Sequence, residues 1–211
     1  MKGMLLMAIV MLFCGFEIHR TNDYVSPLHT FSSEWNDIKY AAANTAESSP
    51  YLSNNEKETI HILNLARLNP ALFCNTVIKQ YPVQPGKPGL KNSEYYLSLL
   101  KTMKNQQPLN LLLPDKSSYE SAQCHAAASG RTGYIGHDRK STECKNLLSY
   151  MGECCDYGHN NPLDIVMSLL IDEGIPTLGH RKICLSPFRK IGVSIQPHKS
   201  YRYNTVMDFN Y

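Results

Sequence analysis

The chain has 211 residues, a formal net charge of +3 and a hydrophobic fraction of 43%. This length suffices for one domain with a complete core, and the composition is that of an ordinary globular protein. Lysine and arginine form no dense block, since Arg181-Lys182 and Arg189-Lys190 are isolated pairs. The charge pattern therefore predicts no nucleic acid partner.

The first sixteen residues have the pattern of a secretory signal peptide. Lys2 precedes an uncharged apolar run over residues 4–16, which is shorter than the roughly 20 residues that a membrane-spanning helix needs. We therefore predict a signal peptide at 1–16, a secreted or extracellular protein, and no transmembrane span in the mature form. Cys14 leaves a lipid-anchored form open, although Phe13 is a poor residue for bacterial lipidation, and a periplasmic location is a further alternative.

Removal of Cys14 with the signal peptide would leave an even number of cysteines. They are Cys74, Cys124, Cys144, Cys154, Cys155 and Cys184. An oxidising compartment permits disulfides among them, but the sequence does not select a pairing. Two alternatives to disulfides stay open. Several of the cysteines could be small buried hydrophobic residues, or Cys144, Cys154, Cys155 and His159 could form a zinc knot of unusual spacing.

Residues 17–52 are rich in Ser, Thr and Asn without clear periodicity, which predicts a linker or loosely packed arm. The folded domain is predicted to span 53–211. It starts where Ser53 and Glu56 have the spacing of a capping box, and a helix follows up to a break near Asn69-Pro70.

Later segments predict helices first and strands last. Apolar or small residues at helical spacing indicate helices over 95–103, 115–129 and 162–172. Alternating apolar residues over 191–195 and 201–209 predict a strand–loop–strand hairpin. This order favours an α+β fold over a doubly wound parallel sheet.

Two histidines have a context that suggests chemistry. His137 and His180 each follow a glycine in a turn-rich segment, and such loops often carry functional groups. Two converging imidazoles would suit zinc or another divalent cation. Glu153 and Asp172 could then orient the imidazoles through their second ring nitrogens. His125 is instead predicted to be a hydrogen-bonded structural residue, and His159 a loop residue.

The sequence contains no motif that is typical of other catalytic or nucleotide-binding sites. It has no Gly-x-Ser-x-Gly, His-Glu-x-x-His, Walker or Gly-x-Gly-x-x-Gly pattern. No clear nucleophile is present either, since an exported chain is expected to pack or bridge its cysteines.

Five segments in order resemble the CAP superfamily of cysteine-rich secretory, antigen 5 and pathogenesis-related proteins, also called SCP domains, in its shorter bacterial branch. The segments are 65–70 (Leu-Ala-Arg-Leu-Asn-Pro), 122–126 (Ala-Gln-Cys-His-Ala), 133–137 (Gly-Tyr-Ile-Gly-His), 152–158 (Gly-Glu-Cys-Cys-Asp-Tyr-Gly) and 179–187 (Gly-His-Arg-Lys-Ile-Cys-Leu-Ser-Pro). The resemblance implies a three-layer α-β-α sandwich with an antiparallel central sheet over 53–211. It also implies a cleft tetrad of His137, Glu153, Asp172 and His180.

The sequence departs from the family pattern at several positions. Asp172 stands where the family's Trp-x-x-Glu helix has its acid, and Glu173 is the alternative candidate. Cys155 and Cys184 replace apolar residues, which suggests that both pack in the core and could form a bridge if they are neighbours.

The resemblance implies an exported binding module rather than an enzyme. Its cleft would take a divalent metal at His137 and His180 and a lipid or cell-envelope ligand. The alternative is a peptidase-like, metal-dependent hydrolase in which Glu153 is the general base. A third interpretation is structural, with Glu153 fixing the cleft wall.

Overall fold

A computed structural model describes residues 24–211. The predicted signal peptide at 1–16, Cys14 and residues 17–23 of the predicted arm lie outside the described residues. Between residues 24 and 211, no helix combines the length and the apolar character needed to cross a membrane.

The described part of the chain is α+β, as predicted, and its seven α-helices all precede the two longest strands. The helices are α1 (Asn54–Leu68), α2 (Pro70–Phe73), α3 (Glu94–Asn105), α4 (Lys116–Thr132), α5 (Thr142–Asn146), α6 (Pro162–Ile171) and α7 (Gly179–Cys184). The strands are β1 (Leu113–Pro114), β2 (Gly152–Tyr157), β3 (Lys190–His198) and β4 (Arg202–Asn210).

The four strands form one mixed sheet in the order β1-β3-β4-β2. The predicted C-terminal hairpin is β3 and β4, and β2 adds to β4 in the antiparallel sense. The prediction of a purely antiparallel sheet is wrong at β1, which pairs with β3 in parallel. No tight hairpin joins these two strands, so the connection does not impose an antiparallel pairing.

The two faces of the sheet pack against different helices. On β4, Val206 packs with Ala122 and Ala126 of α4, whereas Met207 and Phe209 belong to the large cluster that contains the apolar residues of α1 and α6. Successive strand residues point to opposite faces, which produces this division. On β3, a Cβ atom at Gly192 would lie 2.0 Å from the backbone nitrogen of Tyr119, so only glycine lets α4 lie this close.

Helix α1 has Ser53 as its N-cap, as predicted. The Ser53 hydroxyl accepts from the Glu56 N–H, and Glu56 Oε2 accepts from the Ser53 N–H at 2.7 Å. The second carboxylate oxygen of Glu56 accepts from the Ile195 N–H at 2.9 Å. One acid therefore caps the helix and ties it to β3.

The prediction of a loosely packed arm is wrong for residues 24–52. Short 3-10 helices at Ser33–Asn36 and Ile38–Ala43 place Trp35 and Tyr40 in the main core. The Trp35 side chain is fully buried, and its Nε1–H donates to Thr76 Oγ1 at 3.1 Å. Short 3-10 turns give neither a period of 3.6 nor one of 2, so a packed segment looked aperiodic.

Candidate functional site

One half of the site is a hydrogen-bonded pair between a loop and strand β2. His137 follows α4 in the loop before α5, and its Nδ1 lies 2.7 Å from Glu153 Oε1. The Glu153 side chain is 2% exposed and that of His137 is 53% exposed. A buried carboxylate therefore holds an imidazole that faces solvent.

The backbone before His137 is built for this position. Gly136 has a φ of +126°, and a Cβ there would lie 2.8 Å from the Tyr134 hydroxyl oxygen. Its N–H donates to the Tyr157 hydroxyl at 2.9 Å, and its carbonyl accepts from His125 Nε2 at 2.9 Å. Only glycine readily adopts this conformation. This explains why a glycine immediately precedes His137.

The other half is a pair between the end of α6 and the start of α7. Asp172 is the C-cap of α6, with a φ of 58°. Its Oδ1 lies 2.7 Å from His180 Nδ1, and its Oδ2 accepts from the backbone N–H groups of His180 and Arg181. This acid therefore closes the loop, satisfies the first amides of α7 and orients the imidazole.

The two pairs meet. The ring centres of His137 and His180 are 6.2 Å apart, and the ring planes are inclined by 40°. Each Nδ1 faces its own carboxylate, so each Nε2 is the ring nitrogen left for another partner. The structure thus brings together all four residues of the predicted cleft tetrad, and the alternative acid Glu173 bonds instead to the Ser93 hydroxyl.

A buried arginine lies behind the tetrad and was not found from the sequence. Arg139 contacts Glu153 Oε2 through Nη1, and its Nη2 lies 3.2 Å from Asp208 Oδ2. Ser121 donates its hydroxyl to the same Asp208 oxygen at 2.6 Å. The available signal was weak: Arg139 is two residues after His137, and Asp208 is an acid within an apolar strand.

The charges of this cluster shift its titration. The hydrogen bond to Glu153 raises the pKa of His137 above its usual value. Burial would raise the pKa of Glu153, but the His137 hydrogen bond and the Arg139 charge together lower it. Burial, and then the charge of Glu153, raise the pKa of Asp208 to about 8. At neutral pH the cluster therefore holds an ionised Glu153 and a largely protonated Asp208.

A second group of ligand-type atoms shares Glu153. His125, Glu153 and Cys155 are buried, with one ligand atom of each within 4.8 Å of the others, and they could hold a metal ion. His125 already donates through Nε2 to the Gly136 carbonyl. Burial raises the pKa of the Cys155 thiol well above its usual value, so this ligand would ionise only at a cost. The three residues come from α4 and β2, so no local spacing reveals them.

Among residues 24–211, the six cysteines divide between one disulfide and four free thiols. Cys124 and Cys144 form a disulfide that joins α4 to α5, which confirms the expectation of a disulfide and excludes the zinc knot that needed Cys144. Cys74, Cys154, Cys155 and Cys184 are buried thiols. The suggested Cys155–Cys184 neighbourhood is wrong, because Cys154 is the β2 residue whose sulfur faces Cys184.

No known protein family, curated protein or solved structure matches this chain significantly.

Proposed function

We propose that the cleft binds a divalent cation, zinc or a similar ion, through Nε2 of His137 and Nε2 of His180. The observation that carries this proposal is the approach of two imidazoles whose Nδ1 atoms each face a buried carboxylate. Histidine ligands of metals usually have such a partner, which fixes the tautomer and strengthens the ligand.

The spacing of the rings fits this proposal. Two imidazoles that share a zinc ion through Nε2 have ring centres about 5 Å apart, given Zn–N bonds of about 2.1 Å and tetrahedral angles. The ring centres of His137 and His180 lie 6.2 Å apart. His137 is half-exposed, so a small rotation of its side chain would bring the two nitrogens to one ion. A bound ion would supply open coordination positions for an oxygen of a ligand.

We propose further that the protein is an exported member of the CAP superfamily, with residues 53–211 as its α-β-α sandwich. The order of the five sequence segments supports membership, and the packing of α4 on one face and of α1 and α6 on the other is compatible with the sandwich. The disulfide supports an oxidising compartment. The partner would be a lipid or cell-envelope ligand, as the family resemblance implies.

Binding fits the site better than hydrolysis does. A hydrolase of this kind would need Glu153 as a general base beside a metal-activated water. Both carboxylate oxygens of Glu153 are already engaged, one by His137 and one by Arg139. The Glu153 side chain is also only 2% exposed, so this base is poorly placed to take a proton from water.

Titration calorimetry with zinc on the chain without residues 1–16 tests the cation site. We expect His137→Ala/His180→Ala to weaken zinc binding by more than about 100-fold, because loss of an outer-shell partner alone costs about 10- to 100-fold. His159→Ala is the matched control, since this histidine pairs with Asp156 outside the tetrad. Equal zinc affinity in the double variant and the unaltered chain would refute the proposal.

The same measurement separates the two groups of ligand atoms. If zinc binds at the tetrad, His125→Ala/Cys155→Ala keeps most of the affinity. If that variant loses binding while His137→Ala/His180→Ala keeps it, the ion belongs to His125, Glu153 and Cys155.

Two further experiments test the ligand and the alternative function. Extraction of the purified protein with organic solvent, followed by mass spectrometry, tests for a lipid ligand. Hydrolysis of substrates from a peptide and ester panel, if a chelator abolishes it, would favour the hydrolase.

A further inference from the structure

Two buried thiols lie in contact next to the tetrad of His137, Glu153, Asp172 and His180. Cys154 Sγ and Cys184 Sγ are 4.0 Å apart, and the two residues are 0% and 1% exposed. Cys154 is the third residue of β2, and Cys184 ends α7. The two residues therefore belong to elements far apart in the chain that pack against each other.

The same two elements carry residues from both halves of the cleft. Glu153 immediately precedes Cys154 on β2, and His180 lies one helical turn before Cys184 on α7. The Cys154 thiol also approaches the His180 carbonyl at 3.6 Å. A covalent bond between the sulfurs would thus tie the strand of the His137–Glu153 pair to the helix of the His180–Asp172 pair.

The other free cysteines lack such a partner among residues 24–211. Cys155 points to the opposite face of β2, where its sulfur lies 3.7 Å from His137 Nδ1. Cys74 donates weakly to the Leu100 carbonyl. The geometry therefore selects one pair from four thiols.

We propose that Cys154 and Cys184 form a second disulfide when the protein folds under oxidising conditions. The bond requires the sulfurs to approach from 4.0 Å to about 2 Å. The bond is independent of metal binding. Its effect would be to hold α7 against β2 and so to fix the separation of the two cleft halves.

The oxidant is a small-molecule or protein disulfide. One thiol attacks it as a thiolate and forms a mixed disulfide, which releases one thiol of the oxidant. The second cysteine then displaces the other half. In total the two cysteines lose two protons and two electrons, one S–S bond forms, and the oxidant's S–S bond is reduced to two thiols. Because both sulfurs are buried in the folded chain, the reaction belongs to folding, while β2 and α7 come together and before their packing excludes the oxidant.

The test is oxidative refolding of the reduced chain in a glutathione buffer. The product is denatured in iodoacetamide without reductant, digested with trypsin and mapped by mass spectrometry. Linkage of peptide 117–131 to peptide 141–145, which carry Cys124 and Cys144, is an internal control for oxidation, and only samples in which that link is complete are scored. We expect peptide 146–181 to be linked to peptide 183–189.

Peptide 146–181 contains both Cys154 and Cys155, so two experiments identify which of them is bonded to Cys184. Fragmentation of the linked peptide from the unaltered chain locates the alkyl group, which we expect on Cys155, and this step needs no variant. Cys155→Ala should keep the link and Cys154→Ala should abolish it. The proposal is overturned if Cys184 is alkylated in samples in which the Cys124–Cys144 link is complete, or if the alkyl group lies on Cys154.

Discussion

Glu153 lies directly opposite Asp208 in the antiparallel register of β2 and β4, and both acids are buried. Two like charges at such a position repel each other in a medium of low polarity. Here Arg139 contacts both carboxyl groups, and the raised pKa of Asp208 keeps a proton on one of them. The buried Asp208 Oδ1 has no hydrogen-bond partner among the described residues, which also favours the neutral acid. Glu153, Arg139 and Asp208 therefore form a balanced charge cluster next to the tetrad.

We predict that Asp208→Asn flattens the dependence of stability on pH. Asp208 has a pKa of about 8 in the folded protein against an ordinary value of 3.8. Between those values the folded state binds more protons than the unfolded state, so the Asp208 contribution to the free energy of unfolding falls as the pH rises from about 4 to 8. Asparagine resembles the neutral acid and does not titrate.

The measurement is urea unfolding of the unaltered chain and of Asp208→Asn at pH 5, 6.5 and 8. We expect the difference between their free energies of unfolding to shift in favour of the variant by a few kcal/mol from pH 5 to pH 8. Parallel pH profiles for the two proteins would contradict the assignment of a raised pKa to Asp208.

Removal of Arg139 should leave the cluster uncompensated. We predict that Arg139→Met destabilises the fold by about 3–5 kcal/mol at pH 7, the usual cost when a buried ion pair loses one partner. Arg131→Met is the control, because Arg131 is an exposed arginine in the last turn of α4. Urea unfolding gives both free energies.

A second substitution separates charge from packing. In the Arg139→Met background, Glu153→Gln removes the charge that Arg139 had balanced, so we expect it to restore part of the lost stability. A further loss of stability, equal to that of Glu153→Gln alone, would show that Arg139 acts through packing rather than through charge.

The sequence indicated the four residues of the tetrad but not the charges behind them. His137 and His180 each follow a glycine and Glu153 lies in a contiguous motif, whereas the family resemblance named Asp172, with Glu173 as the alternative. Arg139 and Asp208 meet across a loop and a strand that are separated by 69 residues. Such a contact depends on the strand register, which no local pattern specifies.

In the fold, too, elements with local sequence signals were predictable, whereas long-range packing was not. The capping box of α1 and the alternation of β3 and β4 are local signals, and they predicted elements that the structure contains. The N-terminal segment was missed, because isolated buried side chains such as Trp35 and Leu28 follow no helix or strand period. Its packing depends on a core that other parts of the chain supply.

Packing of this segment leads to a third prediction. Trp35→Ala should cost about 3–5 kcal/mol of stability, because it removes a large side chain from a closed core. Ile38→Ala is the control, since Ile38 is 51% exposed and should cost little. Thermal unfolding followed by circular dichroism measures both variants. A loss for Trp35→Ala no larger than that for Ile38→Ala would show that the segment is dispensable to the core.

The proposed cation site should depend on pH in a direction that the tetrad determines. The hydrogen bond to Glu153 raises the pKa of His137, and a protonated imidazole cannot bind a metal. Zinc affinity should therefore rise with pH through the titration of His137, by up to about tenfold per pH unit for one displaced proton. Calorimetry at pH 6, 7 and 8 in buffers of different ionisation enthalpy measures both the affinity and the protons released. His159→Ala, as the control, should keep the same profile. An affinity that does not change from pH 6 to pH 8, with no proton release, would exclude His137 as a ligand.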